Sequence, residues 1–108
     1  MSNKYGARRV PCGLEGVPHT HDSYKESARC ELLQLAQLAG EISDLEVHPG
    51  YDLVVAGMRI GRYRPDFRYR RAGALVVEDV KSTPTKTEAY GLRKRLLKAL
   101  YGLDVLET

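Results

Sequence analysis

The chain has 108 residues, 43% of them apolar and 29% charged, and a net charge of +3, which suits a single domain with one ordinary core. No apolar run approaches the roughly 20 residues of a membrane-spanning helix, and the amino end carries no charged-then-apolar signal segment, so a cytoplasmic protein with no membrane partner is expected. Cys12 and Cys30 form no disulfide framework and are expected to be reduced.

Residues 1–21 are rich in Gly, Pro and His without periodicity and are expected to form an N-terminal arm, leaving 22–108 as the single domain. A helix is predicted over 23–39, stopped by Gly40, with Tyr24, Ala28, Leu32, Leu35, Ala36 and Ala39 on its buried face. Residues 45–48 lead into a strand over 51–56, which turns at Ala56-Gly57-Met58. Two further strands are predicted over 60–69 and 74–81. After Pro84 a second helix spans 87–101, with Ala89, Leu92, Leu96, Ala99 and Leu100 inward and Gly102 as its stop. A short strand over 103–106 closes an α/β (α+β) order of helix, three strands, helix, strand: a mixed sheet flanked by helices.

Charge divides unevenly along this order. Residues 1–54 hold 5 Lys/Arg against 8 Asp/Glu, and residues 55–108 hold 12 against 6, giving −3 and +6. Arg59, Arg62, Arg64, Arg68, Arg70 and Arg71 surround the later strands, and Lys86, Arg93, Lys94, Arg95 and Lys98 follow on the second helix. A polyanion binder has this footprint, because each neutralised phosphate releases counterions; a solvated surface balancing the acidic half has it equally.

The most informative stretch is 63–81. If the strands around it are joined by a two-residue loop at Ala72-Gly73, Arg71 faces Ala74 and paired residue numbers sum to 145 along the ladder. Asp66 and Asp79 satisfy that sum and would lie opposite each other, with Lys81 on the same face by the period of two. Like charges so placed call for a compensating cation, and a hard divalent metal is the natural one. The same parity sends Glu78 to the other face, toward an arginine such as Arg93 or Arg95. Upstream, Glu26 has two open readings: a further carboxylate ligand, or the return half of a Ser23-x-x-Glu26 capping box.

Pro65-Asp66 and Asp79-Val80-Lys81, together with the element order, resemble the two motif halves of the PD-(D/E)XK nuclease superfamily, whose core is restriction-endonuclease-like. Within it the chain is similar to a family of short phage and prophage proteins. Lys4-Tyr5-Gly6, Ser23 to Glu26, Gly40-Glu41-Ile42, Pro65-Asp66-Phe67, Val76 to Lys81, and Thr85 with Thr87 carry that likeness; Ser27 departs from it, where alanine would follow the glutamate. The resemblance implies a Mg²⁺- or Mn²⁺-dependent endonuclease, with Asp66, Asp79, the carbonyl of Val80 and Glu26 as ligands and Lys81 beside the scissile phosphate. It also implies cleavage leaving 5′-phosphate and 3′-hydroxyl ends, branched DNA such as a four-way (Holliday) junction as substrate in phage recombination, and a homodimer. Arg62, Arg64, Arg68, Lys86, Arg93, Lys94 and Lys98 would hold the DNA backbone.

Other classes are weaker. A DNA-binding accessory protein on the same fold would have lost one of Asp66, Asp79 or Lys81, and all three are present. An RNA-binding module lacks its aromatic platform, since the tyrosines are scattered. Cys12, His19, His21 and Cys30 match no common closed zinc spacing.

Overall fold

The computed structural model describes residues 10–12, 19–21, 23–81 and 87–108. Its elements run β1 (Val10–Cys12), β2 (His19–His21), α1 (Tyr24–Leu38), β3 (Ser43–Val47), β4 (Tyr51–Val55), β5 (Met58–Tyr63), β6 (Phe67–Arg71), β7 (Ala74–Asp79), α2 (Glu88–Tyr101) and β8 (Val105–Glu107). The fold is a mixed α+β one, as the element pattern predicts, but five strands separate the helices instead of three. β3 is an additional strand, and the strand predicted over 60–69 is broken in two at Arg64-Pro65-Asp66. Pro65 has no N–H for a ladder and holds the residue before it extended, which ends β5. Within the predicted arm, β1 and β2 pair antiparallel.

The main sheet has the order β3-β6-β7-β8, antiparallel except for the parallel β7/β8 pair that α2 connects. The register of β6 and β7 is the predicted one, from Arg71↔Ala74 to Phe67↔Glu78. Ala72 and Gly73 turn with φ of 51° and 79°, the left-handed pair of a type I′ hairpin. Ala56 and Gly57 make the same turn in the separate β4/β5 hairpin, at 51° and 80°.

Two cores lie on the two faces of the sheet. On one, Cys30 and Leu33 of α1 pack with Ile42, Phe67 and Tyr69. On the other, Leu97 of α2 and Tyr51, Leu53 and Tyr63 of the β4/β5 hairpin pack on Val77. Both helices start on side-chain caps, Ser23 accepting from the Glu26 N–H and Thr87 from the Tyr90 N–H, each at 3.1 Å. Among the described residues no helix is long and apolar enough to cross a membrane.

Both helices bury a different face from the predicted one. In α1 the buried residues are Glu26, Ser27, Cys30, Leu33 and Gln34, on roughly the opposite side, while Tyr24, Leu32 and Leu35 are 63%, 59% and 51% exposed. In α2, Leu97 is the buried residue, with Tyr90 and Leu96 packed beside it, and Ala89, Leu92, Ala99 and Leu100 are exposed. The reason for α1 is electrostatic. Its inward side carries Glu26, 3.2 Å from His48, and Arg29, whose guanidinium makes a fork of hydrogen bonds to Glu78 at 2.7 and 2.9 Å.

Glu78 is completely buried on the α1 face, as parity requires, but its arginine is Arg29 and not Arg93 or Arg95. Tyr69 Oη and Thr108 Oγ1 also donate to it, at 2.7 and 3.0 Å. Burial alone would raise its pKa, yet the Arg29 and Tyr69 hydrogen bonds hold it below the usual value.

Candidate metal centre

Glu26, His48 and Asp66 each bring one ligand atom into a group whose members all lie within 4.8 Å of one another. Three separate elements deliver them. Glu26 stands in the first turn of α1, where the Ser23 cap fixes its backbone. Its side chain is buried, with Oε2 3.2 Å from His48 Nε2. His48 follows β3 in a left-handed conformation, φ 53°, and its N–H donates to the carbonyl of Asp66 at 2.9 Å. Asp66 stands in the bend between β5 and β6, immediately before Phe67.

Asp79 reaches the same place from the end of β7. Its Oδ1 accepts the Asp66 N–H at 2.9 Å, and its Oδ2 accepts the hydroxyl of Tyr63. In return Asp66 Oδ2 accepts the Val80 N–H at 2.7 Å. The two aspartates therefore meet across the ladder as the register predicts, but in unlike roles. Asp66 joins Glu26 and His48, whereas Asp79 fixes the backbone that presents Asp66. Val80 contributes its N–H to that clamp.

Burial is the main cause that pushes the Asp66 carboxyl up from 3.8 to about 8, and a hydrogen bond with Glu26 adds to it, while the Val80 N–H works against both. A second anion at this spot is costly unless a proton or a cation is shared. Two carboxylates and an imidazole form a donor set of two hard oxygens and one nitrogen, which could hold a divalent metal ion.

Lys81 follows β7 two residues after Asp79, and its ammonium lies 3.6 Å from Glu107 Oε1. Glu107 also accepts from Tyr90 Oη and Lys94 Nζ, at 2.9 and 3.2 Å. Burial raises the pKa of both Tyr63 and Tyr90, and the carboxylates they donate to raise it further.

The residues expected to hold a nucleic-acid backbone separate into two sets. Arg62, Arg64 and Arg93 gather with Tyr63, Asp79 and Tyr90 around one cleft of about 410 Å³. Arg68 is already paired, donating to Glu46 and, at 2.9 Å, to Tyr51 Oη. Lys94 pairs with Glu107, and Lys98 with Asp104 at 2.9 Å. Lys86 lies outside the described residues, as do Lys4-Tyr5-Gly6 and Thr85, and so do the side chains of Cys12, His19 and His21.

Sequence reasoning missed His48 and Tyr63. Tyr63 carries no motif at all, and His48 reads only as the end of a strand lead; its one signal is the Pro49-Gly50 that follows and marks a turn.

Residues 2–105 match the family model described as "Protein of unknown function (DUF1064)", and the chain belongs to that family. No curated protein and no solved structure matches it.

Proposed function

We propose that this member of the DUF1064 family is a metal-dependent DNA endonuclease of the PD-(D/E)XK type, requiring Mg²⁺ or Mn²⁺ and working in the cytoplasm. The observation that carries the reading is the convergence of Glu26, His48 and Asp66 from three elements, with Asp79 clamped to the amide of Asp66. Glu26, His48 and Asp66 hold the ion, which when bound supplies an activated water and polarises a phosphate oxygen. Asp79 and Val80 keep the Asp66 carboxylate aimed at it. Lys81 stands two residues beyond Asp79 in sequence. Its ion pair with Glu107 is long and 45% exposed on the lysine side, so a phosphate oxygen can replace it at little loss.

Branched DNA, such as a four-way junction, is the substrate that the family likeness favours. A two-fold homodimer would match the two symmetric cleavage points of such a junction.

The test is incubation of linear, single-stranded, nicked and four-way-junction DNA with Mg²⁺ or Mn²⁺, for wild type and for Glu26→Gln and Asp66→Asn. Cleavage by wild type that both variants lose supports the reading. Binding without cleavage of any substrate would leave a DNA-binding accessory protein on the same fold.

A further inference from the structure

We infer that the cleft lined by Arg62, Arg64 and Arg93 is a phosphate-binding subsite that seats the strand one step away from the bond at the acidic centre. The role in cleavage rests on the reading above; the binding chemistry does not. Three elements build the cleft: Arg62 from β5, Arg64 from the segment that leads to Asp66, and Arg93 from α2. Its volume of about 410 Å³ falls within the range of small-molecule sites and admits a phosphate with its sugar. Among the described residues no carboxylate forms an ion pair with any of these three arginines. The one acid in the wall, Asp79, already accepts from Tyr63 Oη and the Asp66 N–H. Three cations around one concavity repel each other, and an anion that takes forked hydrogen bonds relieves them; phosphate is the geometry guanidinium matches.

Two features show that the arginines are placed and not merely scattered. The guanidinium of Arg62 lies against Gly50, with Cζ and Nε each 2.8 Å from where a Cβ on residue 50 would stand. Any side chain there would push it away. Arg64 precedes Pro65, which is fully buried and restricts the Arg64 backbone to extended conformations. Asp79 belongs both to this wall and to the clamp on Asp66, so a phosphate in the cleft is adjacent to the proposed cleavage point.

The phosphate can come from a strand terminus or from an internal phosphodiester. The experiment is carried out in EDTA, so that neither metal nor cleavage enters. Inorganic phosphate is titrated while the arginine Nε–H resonances are followed by NMR, and affinities are measured for short single-stranded oligonucleotides bearing a 5′-phosphate, a 3′-phosphate or neither. Arg62, Arg64 and Arg93 signals are expected to shift together. Arg64→Ala and Arg93→Ala should each weaken oligonucleotide binding about ten-fold and lower its salt slope by about 1. Gly50→Ala, which removes no charge, should reproduce Arg62→Ala. Arg71→Ala, at the hairpin end of β6 and far along β7 from Asp79, is the equal-charge control.

Sensitivity confined to one terminally phosphorylated oligonucleotide assigns the cleft to a strand end; equal sensitivity for all three assigns it to an internal phosphate. Arg64→Ala and Arg93→Ala binding no worse than Arg71→Ala would overturn the inference. If those variants bind weakly while wild type with Mn²⁺ cleaves no DNA, the nuclease reading fails and the subsite stands.

Discussion

The most direct probe of the acidic centre is Asp66→Asn, read as stability against pH. In the metal-free fold the Asp66 carboxyl titrates at about 8 instead of 3.8, pushed up by burial and by its hydrogen bond with Glu26. The protonated form is therefore the one the fold favours. Its contribution is complete below pH 3.8, falls as pH rises toward 8, and is gone above that. Each pH unit in that window is worth about 1.4 kcal/mol for a fully coupled proton. Asp66 shares its proton with Glu26 and is partly reached by water, so a loss of about 2 kcal/mol between about pH 5 and pH 8 is expected. The asparagine mimics the protonated acid, keeps an oxygen for the Val80 N–H, and should remove this slope. Mn²⁺ should remove it too, because the ion stabilises the ionised form. Urea unfolding followed by circular dichroism at several pH values, in EDTA and in Mn²⁺, measures all of this. Parallel wild-type and variant profiles in EDTA, or a wild-type slope that Mn²⁺ leaves unchanged, would refute the account of the site.

Other outcomes follow from the same contacts. Glu78→Ala strands the Arg29 guanidinium and the Tyr69 hydroxyl beside a cavity and should cost about 3 kcal/mol in urea unfolding. Because the Glu78 pKa lies below normal, its contribution is present above about pH 4.5 and is lost as the pH falls, so the wild type and Glu78→Ala stability curves should converge in acid. Leu33→Ala should cost about 3 kcal/mol, and Leu32→Ala, one residue earlier on the exposed side, no more than about 0.5 kcal/mol. Asp79→Asn weakens the clamp on the Asp66 amide without removing a proposed ligand, so DNA cleavage should fall about 100-fold with Mn²⁺ affinity little changed. Equal loss of both would make Asp79 a ligand.

Which parts of this structure the sequence discloses depends on how local the physics is. The Ala72-Gly73 turn sets the β6/β7 register by itself, because a two-residue loop with two left-handed residues allows one pairing, and that pairing brings Asp66 to Asp79. Ser23, Thr87 and Gly102 disclose helix ends for the same reason, each acting within one turn. His48 and Tyr63 are invisible at that range. His48 is brought to Glu26 by the end of β3, and Tyr63 to Asp79 by the folding of the β4/β5 hairpin against the sheet. Both are consequences of tertiary packing with no local sequence signal.

The orientation of α1 follows a different rule, and it bears on the site. Its leucines favour a buried side through Leu32 and Leu35, and hydrophobic periodicity selects that side. The helix turns instead so that Arg29 meets Glu78, a carboxylate that the sheet would otherwise leave buried and uncompensated, and the same turn carries Glu26 to His48 and Asp66. Each half-exposed leucine forgoes about 1 to 2 kcal/mol, whereas stranding the buried Glu78 carboxylate costs about 3 to 5 kcal/mol. Cys30 and Leu33 lie on the same side as the charges and recover part of the apolar burial. Removing the Arg29–Glu78 pair should therefore loosen the hold on Glu26 from one helical turn away, so that Glu78→Ala weakens Mn²⁺ binding although Glu78 touches none of the three proposed ligands.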